Sequence, residues 1–157
     1  MILAADASAL VALAVCDGLS LLDILFGEVL VPEEVFHEVV VSDKPQAAKL
    51  SSYLQDKVRT VNMQHFVFLD VFADAGETAA MLLYKELGAD YLLIDDKRGR
   101  KVAKINQIRT IGSLGVLLQA KRLGHISAVA PLLDLILASP VFISDALLRT
   151  VLELAGE

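Results

Sequence analysis

The 157-residue sequence has a single cysteine, Cys16, and only three histidines. One cysteine excludes an internal disulfide framework and any zinc site built from a cysteine cluster. His37, His65 and His125 lie far apart in the sequence and show no metal-ligand spacing. Carboxylate oxygens therefore remain as the candidate metal ligands.

Basic residues are also in the minority. Fourteen Lys and Arg against twenty Asp and Glu give a net charge of 14 − 20 = −6. A chain-wide basic surface for nucleic acid is excluded, so binding to a polyanion requires a local patch or bound cations. No apolar run approaches the ~18–20 residues of a membrane span, and the start carries Asp6 in place of the positive region of a signal peptide. We therefore expect a cytoplasmic protein.

Apolar residues, by contrast, are abundant. Hydrophobic residues make up 55% of the chain and charged residues 22%, which is enough apolar surface to offset the entropy of ordering the chain. The length fits one ordinary domain, and the sequence shows no repeat, low-complexity tract or linker. We expect a single domain over residues 1–157.

Short apolar runs alternate with segments of helical period, which is typical of an α/β fold with a mainly parallel sheet. The predicted strands are Ile2–Ala5, Glu28–Val31, Tyr91–Ile94 and Ile108–Ile111, with a further extended segment at Val58–Val61 or Phe66–Leu69. The predicted helices are Ala9–Cys16, opened by Ser8, then Pro32–Val40, Gln46–Asp56, Thr78–Leu87, Lys97–Gln107, Ser113–Gly124, Ser127–Ala138 and Ser144–Leu154.

Acidic residues fall at the ends of these elements. Asp6 follows the first predicted strand, and Asp95 and Asp96 follow a later one, at the sheet edge where open α/β sheets bind ligands. Glu77 stands at the start of a helix, and Glu38 borders the buried stripe of another. Converging carboxylates without cysteine suit Mg²⁺ or Mn²⁺. Such an ion activates bound water and neutralises charge in a phosphodiester displacement.

A basic strip follows the acidic pair directly. Five of the fourteen cations lie in it: Lys97, Arg98, Arg100, Lys101 and Lys104. Metal-holding acids beside a basic strip would explain how an acidic protein binds a phosphate backbone.

Each of these residues also has a purely structural interpretation. Glu77 can be the capping-box acid that pairs with Asp74, and Asp6 can be a turn residue. Asp95 and Asp96 can simply start a helix. Glu38 and the basic run can face solvent. It is the joint occurrence of these residues that favours a site.

Five motifs then occur in a fixed order: Asp6-Ala-Ser8, Val31–Val39, Gly76–Ala80, Leu92–Ala103 and Ile111–Leu117. The ordered set covers nearly the whole chain and resembles the PIN-domain nucleases, in particular the VapC-like branch. Gly76-Glu77-Thr-Ala-Ala is similar to the Gly-Glu-x-x-Ala motif of an uncharacterised PIN-like subgroup.

The resemblance implies a three-layer α/β/α PIN-like fold and a Mg²⁺- or Mn²⁺-dependent endoribonuclease, often a homodimer and often the toxin of a toxin–antitoxin pair. It implies that Asp6, Glu38, Glu77 and one of Asp95 or Asp96 are the catalytic, metal-holding acids. Ser8 and Ser113 would support the site or a phosphate by hydrogen bonds. Lys97, Arg98 and Arg100 would contact the RNA backbone.

Two other functions were weighed against this one. A haloacid-dehalogenase-like phosphatase also uses a strand-end Asp, but it needs a second Asp at the position of Ser8. A catalytically degenerate PIN-like protein would bind protein or RNA without cutting. For this binding-only protein, the apolar helices Leu114–Leu123 and Ala146–Leu154 could supply a dimer or antitoxin surface.

Overall fold

A computed structural model describes residues 1–41, 43–62 and 74–157. Its centre is a five-stranded sheet in the order β3-β2-β1-β4-β5, and every neighbouring pair is parallel. The strands are β1 (Ile2–Ala5), β2 (Glu28–Pro32), β3 (Val58–Arg59), β4 (Tyr91–Leu93) and β5 (Thr110–Ile111).

Nine helices flank the sheet within the described ranges. They are α1 (Ala7–Val15), α2 (Ser20–Phe26), α3 (Glu33–Val39), α4 (Ala47–Leu54), α5 (Ala75–Leu87), α6 (Lys97–Ile105), α7 (Ser113–Arg122), α8 (Ala130–Leu137) and α9 (Asp145–Ala155). None of these helices is by itself long and apolar enough to cross a membrane; α1 and α2 reach that length only together, with a bend of 116° between them.

The central strands are apolar on both faces because helices cover the sheet on both sides. Leu3, Ala4, Leu92 and Leu93 have no exposed surface. They belong to one hydrophobic cluster that extends into the surrounding helices. The predicted α/β class, with a parallel sheet between helices, is confirmed.

The strand order places a ligand-binding edge at the end of β1. From β1 the chain goes first to β2 on one side and later to β4 on the other, and such a reversal opens a crevice at the carboxyl ends of the strands. Ala5 is in register with Leu93, and the Asp6 amide donates to the Leu93 carbonyl at 2.9 Å. Residues that follow β1 and β4 therefore leave the sheet side by side.

The predicted elements correspond to observed ones, with shifted ends. β3 falls within the Val58–Val61 alternative, while Phe66–Leu69 lies outside the described residues. α1 begins at Ala7 with Asp6 at its N-cap, so the expectation that Ser8 caps a helix from Ala9 was wrong. The sequence patterns also missed α2, a short apolar segment that ends at Gly27 with φ of 85°.

Candidate active site

Asp6 is the most deeply buried acid among the described residues, with 4% of its surface exposed. It sits between the end of β1 and the start of α1. The Ser8 hydroxyl donates to Asp6 Oδ2 over a long 3.4 Å. Burial raises the pKa of Asp6 from 3.8 to about 7, although the Ala7 amide lowers it. A carboxyl group in this position is poised between its charged and neutral forms near neutral pH.

Other carboxylates approach Asp6 from separate elements. The negative charges of Glu77, Asp74 and Glu38 raise the pKa of Asp6 in addition to its burial. Asp96 acts in the same way on the pKa of Glu77. We call these five residues the acidic cluster; the loop after β1, α3, the start of α5 and the start of α6 each supply part of it. Like charges converge here at the carboxyl edge of the sheet.

Glu77 belongs both to the N-terminal cap of α5 and to the acidic cluster. Its backbone N–H donates to Asp74 Oδ1 at 2.7 Å, and its Oε2 accepts the Asp74 amide at 3.2 Å. The predicted capping box is thus confirmed. Glu77 is also only 6% exposed, and burial, followed by the charges of Asp74, Asp96 and Glu38, raises its pKa against the lowering effect of the Asp74 amide. The structural interpretation of Glu77 therefore does not compete with the functional one.

Glu38 is solvent-exposed on α3, but its carboxylate points toward the start of α5. A Cβ placed on Gly76 would lie 2.9 Å from Glu38 Oε2, so the missing side chain is what allows this approach. Partial burial and the charge of Asp74 raise the pKa of Glu38, while Lys44 lowers it. The Lys44 ammonium also donates to the Glu38 carbonyl at 3.3 Å.

Gly99 has a similar role where α6 begins. The sequence suggests only that this glycine weakens the helix. In the structure its Cβ would lie 2.6 Å from Ile94 Cδ1 and 3.1 Å from Glu77 Oε1. Both Gly99 and Ile94 are buried, so a side chain there would force α6 away from Glu77.

The two adjacent acids after β4 have different partners. Asp95 Oδ1 accepts the Ser113 amide at 2.7 Å, and Asp95 Oδ2 accepts the Ser113 hydroxyl at 2.6 Å. Asp96 instead caps α6, with its Oδ2 accepting the Gly99 amide at 2.8 Å. Asp95 is thus tied to the start of α7, and Asp96 faces the acidic cluster.

The donor set of the acidic cluster fits a hard divalent cation, because all of its side-chain ligands are carboxylate oxygens that repel one another. In the part of the chain that the structure describes, however, no three Asp, Glu, His or Cys side chains are placed as a ready-made metal site. One oxygen of Glu77 and one of Asp96 accept backbone N–H groups instead. The predicted acids are brought to one edge, but their side chains must adjust to close around an ion.

Two grooves border the acids. The first, of about 480 Å³, is lined in part by Ser8, Glu38, Lys44, Asp95, Asp96, Lys97 and Phe142. The second, of about 400 Å³, is lined in part by Asp95, Arg100, Thr110, Ser113, Phe142 and Leu147. Of the five cations in the basic strip, Lys97 and Arg100 therefore reach a groove; Arg98, Lys101 and Lys104 are exposed elsewhere on α6.

Three residues at this edge were not predicted as part of the site. Asp74 had been assigned only to the capping box, although its position three residues before Glu77 already placed two carboxylates together. Lys44 precedes Pro45 in a polar segment, and no sequence signal links it to Glu38. Phe142 lies between the predicted helices Ser127–Ala138 and Ser144–Leu154, and no sequence signal links it to the acids.

A comparison with known families shows to which family the chain belongs. A family model described as a PIN domain matches residues 2–157. The chain belongs to the PIN-domain family. PIN domains are generally nucleases that usually use divalent metals, so the chain has a nuclease-type fold with nucleic acid as the implied substrate class. Among curated proteins and solved structures, no significant match was found.

The buried carboxylate of this PIN domain predicts an unusual pH dependence of stability. The folded chain holds the Asp6 proton up to about pH 7, whereas the unfolded chain releases it near the ordinary pKa of 3.8. The free energy of unfolding should therefore fall as pH rises from about 4 to 7. In chelator-treated protein at pH 8, we expect Asp6→Asn to raise this free energy by on the order of 2–4 kcal/mol.

Urea unfolding at pH 5 and pH 8 measures this effect. The matched control is Asp134→Asn, which changes an exposed carboxylate on α8 and should leave stability within about 0.5 kcal/mol. An Asp6→Asn protein that gains no stability over the wild type between pH 5 and pH 8 would contradict the prediction.

Proposed function

We propose that this PIN domain is a Mg²⁺- or Mn²⁺-dependent endoribonuclease that hydrolyses RNA phosphodiester bonds. The observation that carries the proposal is the convergence of three further chain segments, each with at least one acid, on the edge of the sheet that holds the buried Asp6. Such a concentration of like charge is unfavourable by itself, and a divalent cation relieves it.

Asp6, Glu38, Glu77 and Asp96 are the residues that would hold the ion. When bound, the ion lowers the pKa of a coordinated water and stabilises negative charge on the phosphodiester. Ser8 orients Asp6 by its hydrogen bond. Asp95 acts indirectly in this scheme, because its two hydrogen bonds to Ser113 fix the start of α7 beside the site.

Lys97 and Arg100 would bind the RNA backbone. Both lie in α6; Lys97 lines the first groove and Arg100 the second, and Asp95 lines both. Phosphate contacts of this kind position a nucleic acid without reading its sequence. They would let a protein of net charge −6 bind a polyanion at one edge only.

The central test is RNA cleavage in Mn²⁺ or Mg²⁺. We expect Asp6→Asn to lower the cleavage rate by about 100-fold or more, because the acid nearest the centre of the cluster is lost. Asp134→Asn should cleave like the wild type, since that carboxylate is exposed on α8. Gel-based cleavage of a labelled single-stranded RNA measures both rates, with chelator as the metal-free control.

If wild type and Asp6→Asn cleave RNA equally well, the cleavage does not depend on Asp6, and the active site does not lie at the acidic cluster. If the wild type neither cleaves nor binds Mn²⁺ by calorimetry, the absence of a ready-made metal site among the described residues would instead favour the degenerate, binding-only PIN-like protein.

The adjacent acids provide a second test. We expect Asp96→Asn to lower metal-dependent cleavage by at least about 10-fold, in line with loss of a ligand or its support. Asp95→Asn should chiefly lower the free energy of unfolding, by about 1–3 kcal/mol, because it weakens the two bonds to Ser113. Cleavage assays and urea unfolding on the same two proteins separate these effects, and the reverse pattern would assign the metal to Asp95.

The biological role we propose is that of a cytoplasmic toxin with a protein antitoxin, acting as a homodimer. Its support is the resemblance to VapC-like toxins, together with exposed Leu147 and Leu154 on α9, which packs against α7. We expect induced expression to arrest growth and a protein encoded directly upstream to restore it. Unimpaired growth with active ribonuclease would contradict the toxin role alone.

A further inference from the structure

Phe142 is the most exposed large hydrophobic residue in the described part of the chain, with 88% of its surface accessible. Its neighbours behave differently, since Val141 and Ile143 are half-buried and pack against the core. The alternation shows that the segment around Phe142 packs against the core through Val141 and Ile143, while the Phe142 ring between them points outward. An outward Phe gains nothing from burial in the monomer.

The segment that carries Phe142 is anchored at both ends. The Val141 amide donates to the Ser139 hydroxyl at 3.1 Å, and that hydroxyl donates to the Ile136 carbonyl at 2.6 Å. Two residues after Phe142, the Ser144 hydroxyl accepts the Leu147 amide at 3.2 Å and caps α9. The ring is therefore presented from a fixed backbone, which lowers the entropy lost when it binds a partner.

The position of the ring identifies what it would meet. Phe142 lines the first groove together with Lys44 and Lys97, beside the acids Glu38, Asp95 and Asp96. It lines the second groove, which is mainly apolar, together with Arg100. An exposed aromatic ring with at least one cation in each adjoining groove is a combination used to bind single-stranded nucleic acid, in which cations follow the backbone and bases stack on rings. The charged residues of the first groove make that groove unfavourable for an apolar protein surface.

We propose that Phe142 is a base-stacking residue that holds an unpaired base of single-stranded RNA beside the acidic cluster. The inference rests on the proposed function and deepens it, because it assigns a base-binding role to a residue outside the acidic cluster. Bases in a duplex are already stacked and paired, so the ring would favour single strands over duplexes. It would do so with little sequence preference, since every base has a face on which to stack.

The chain contains no tryptophan, so a Phe142→Trp variant carries one reporter at the position in question. The measurement is its fluorescence on titration with a single-stranded RNA of about 12 nucleotides. It is made at low salt, with chelator, on the Asp6→Asn background so that the RNA stays intact. We expect quenching as a base stacks on the indole. An abasic oligomer of the same length and charge should cause none.

The matched control is Ile24→Trp on the same background. Ile24 is 53% exposed on α2 and lines neither groove. Single-stranded RNA should leave its fluorescence unchanged. A duplex of the same length should quench the Phe142→Trp protein much less than the single strand does.

Affinity gives an independent readout. By fluorescence anisotropy with labelled single-stranded RNA, Phe142→Ala should bind about 5- to 150-fold more weakly, which is the effect of losing one base–aromatic stack. Phe142→Tyr should bind like the parent protein, and so should Ile24→Ala. Because Phe142 is exposed, its truncation should leave the unfolding transition unchanged.

The possible failures are distinguishable. Quenching by the abasic oligomer, equal quenching by duplex, absence of RNA binding, or unchanged affinity in Phe142→Ala would each overturn the inference. If Phe142→Ala abolished self-association in sedimentation but left RNA affinity unchanged, the ring would be a protein contact and the inference would likewise fail. If the protein cleaves RNA but no base stacks at position 142, the nuclease proposal stands and this inference fails. If a base stacks there but the wild type does not cleave RNA, this inference stands and the nuclease proposal fails.

Discussion

Repulsion between carboxylates at the end of β1 is the constraint on which the rest of the site depends. Asp6 is held by β-sheet geometry, since its own amide completes the pairing of β1 with β4. Glu77 is held by the capping box of α5. Neither can withdraw into solvent without giving up backbone hydrogen bonds. The fold therefore keeps several carboxyl groups close together, and the large apolar core offsets the cost of crowding and burying them.

Missing side chains are as important as present ones in bringing the acids together. Gly76 leaves room for Glu38, and Gly99 leaves room for Glu77. At Gly112 a Cβ would lie 2.9 Å from Asp95 Oδ1. Each of these glycines lies at or next to the start of a helix, where the backbone comes closest to the edge of the sheet. The helix starts can therefore surround a small volume with carboxylates.

The sequence could predict those parts of the site that depend on local patterns. Strand-end acids such as Asp6, and the capping box of Glu77, follow from periodicity and spacing. The different roles that we propose for Asp95 and Asp96 could not be assigned in this way, because they rest on the bond of Asp95 to Ser113, eighteen residues further along the chain. Phe142 was missed for a related reason: an apolar residue between apolar neighbours predicts burial, and only the docked backbone shows that its ring faces outward.

The structural and the functional interpretations of the acids turn out to be compatible. A carboxylate has two oxygens and about four lone-pair sites. Glu77 and Asp96 each use one oxygen to accept a backbone amide at the start of a helix, which restricts the rotation of the side chain without using up its capacity as a ligand. Capping thus orients the group toward the cluster, as hydrogen bonds to metal ligands do in general. A helix cap at this edge therefore leaves the same carboxylate able to hold a metal ion.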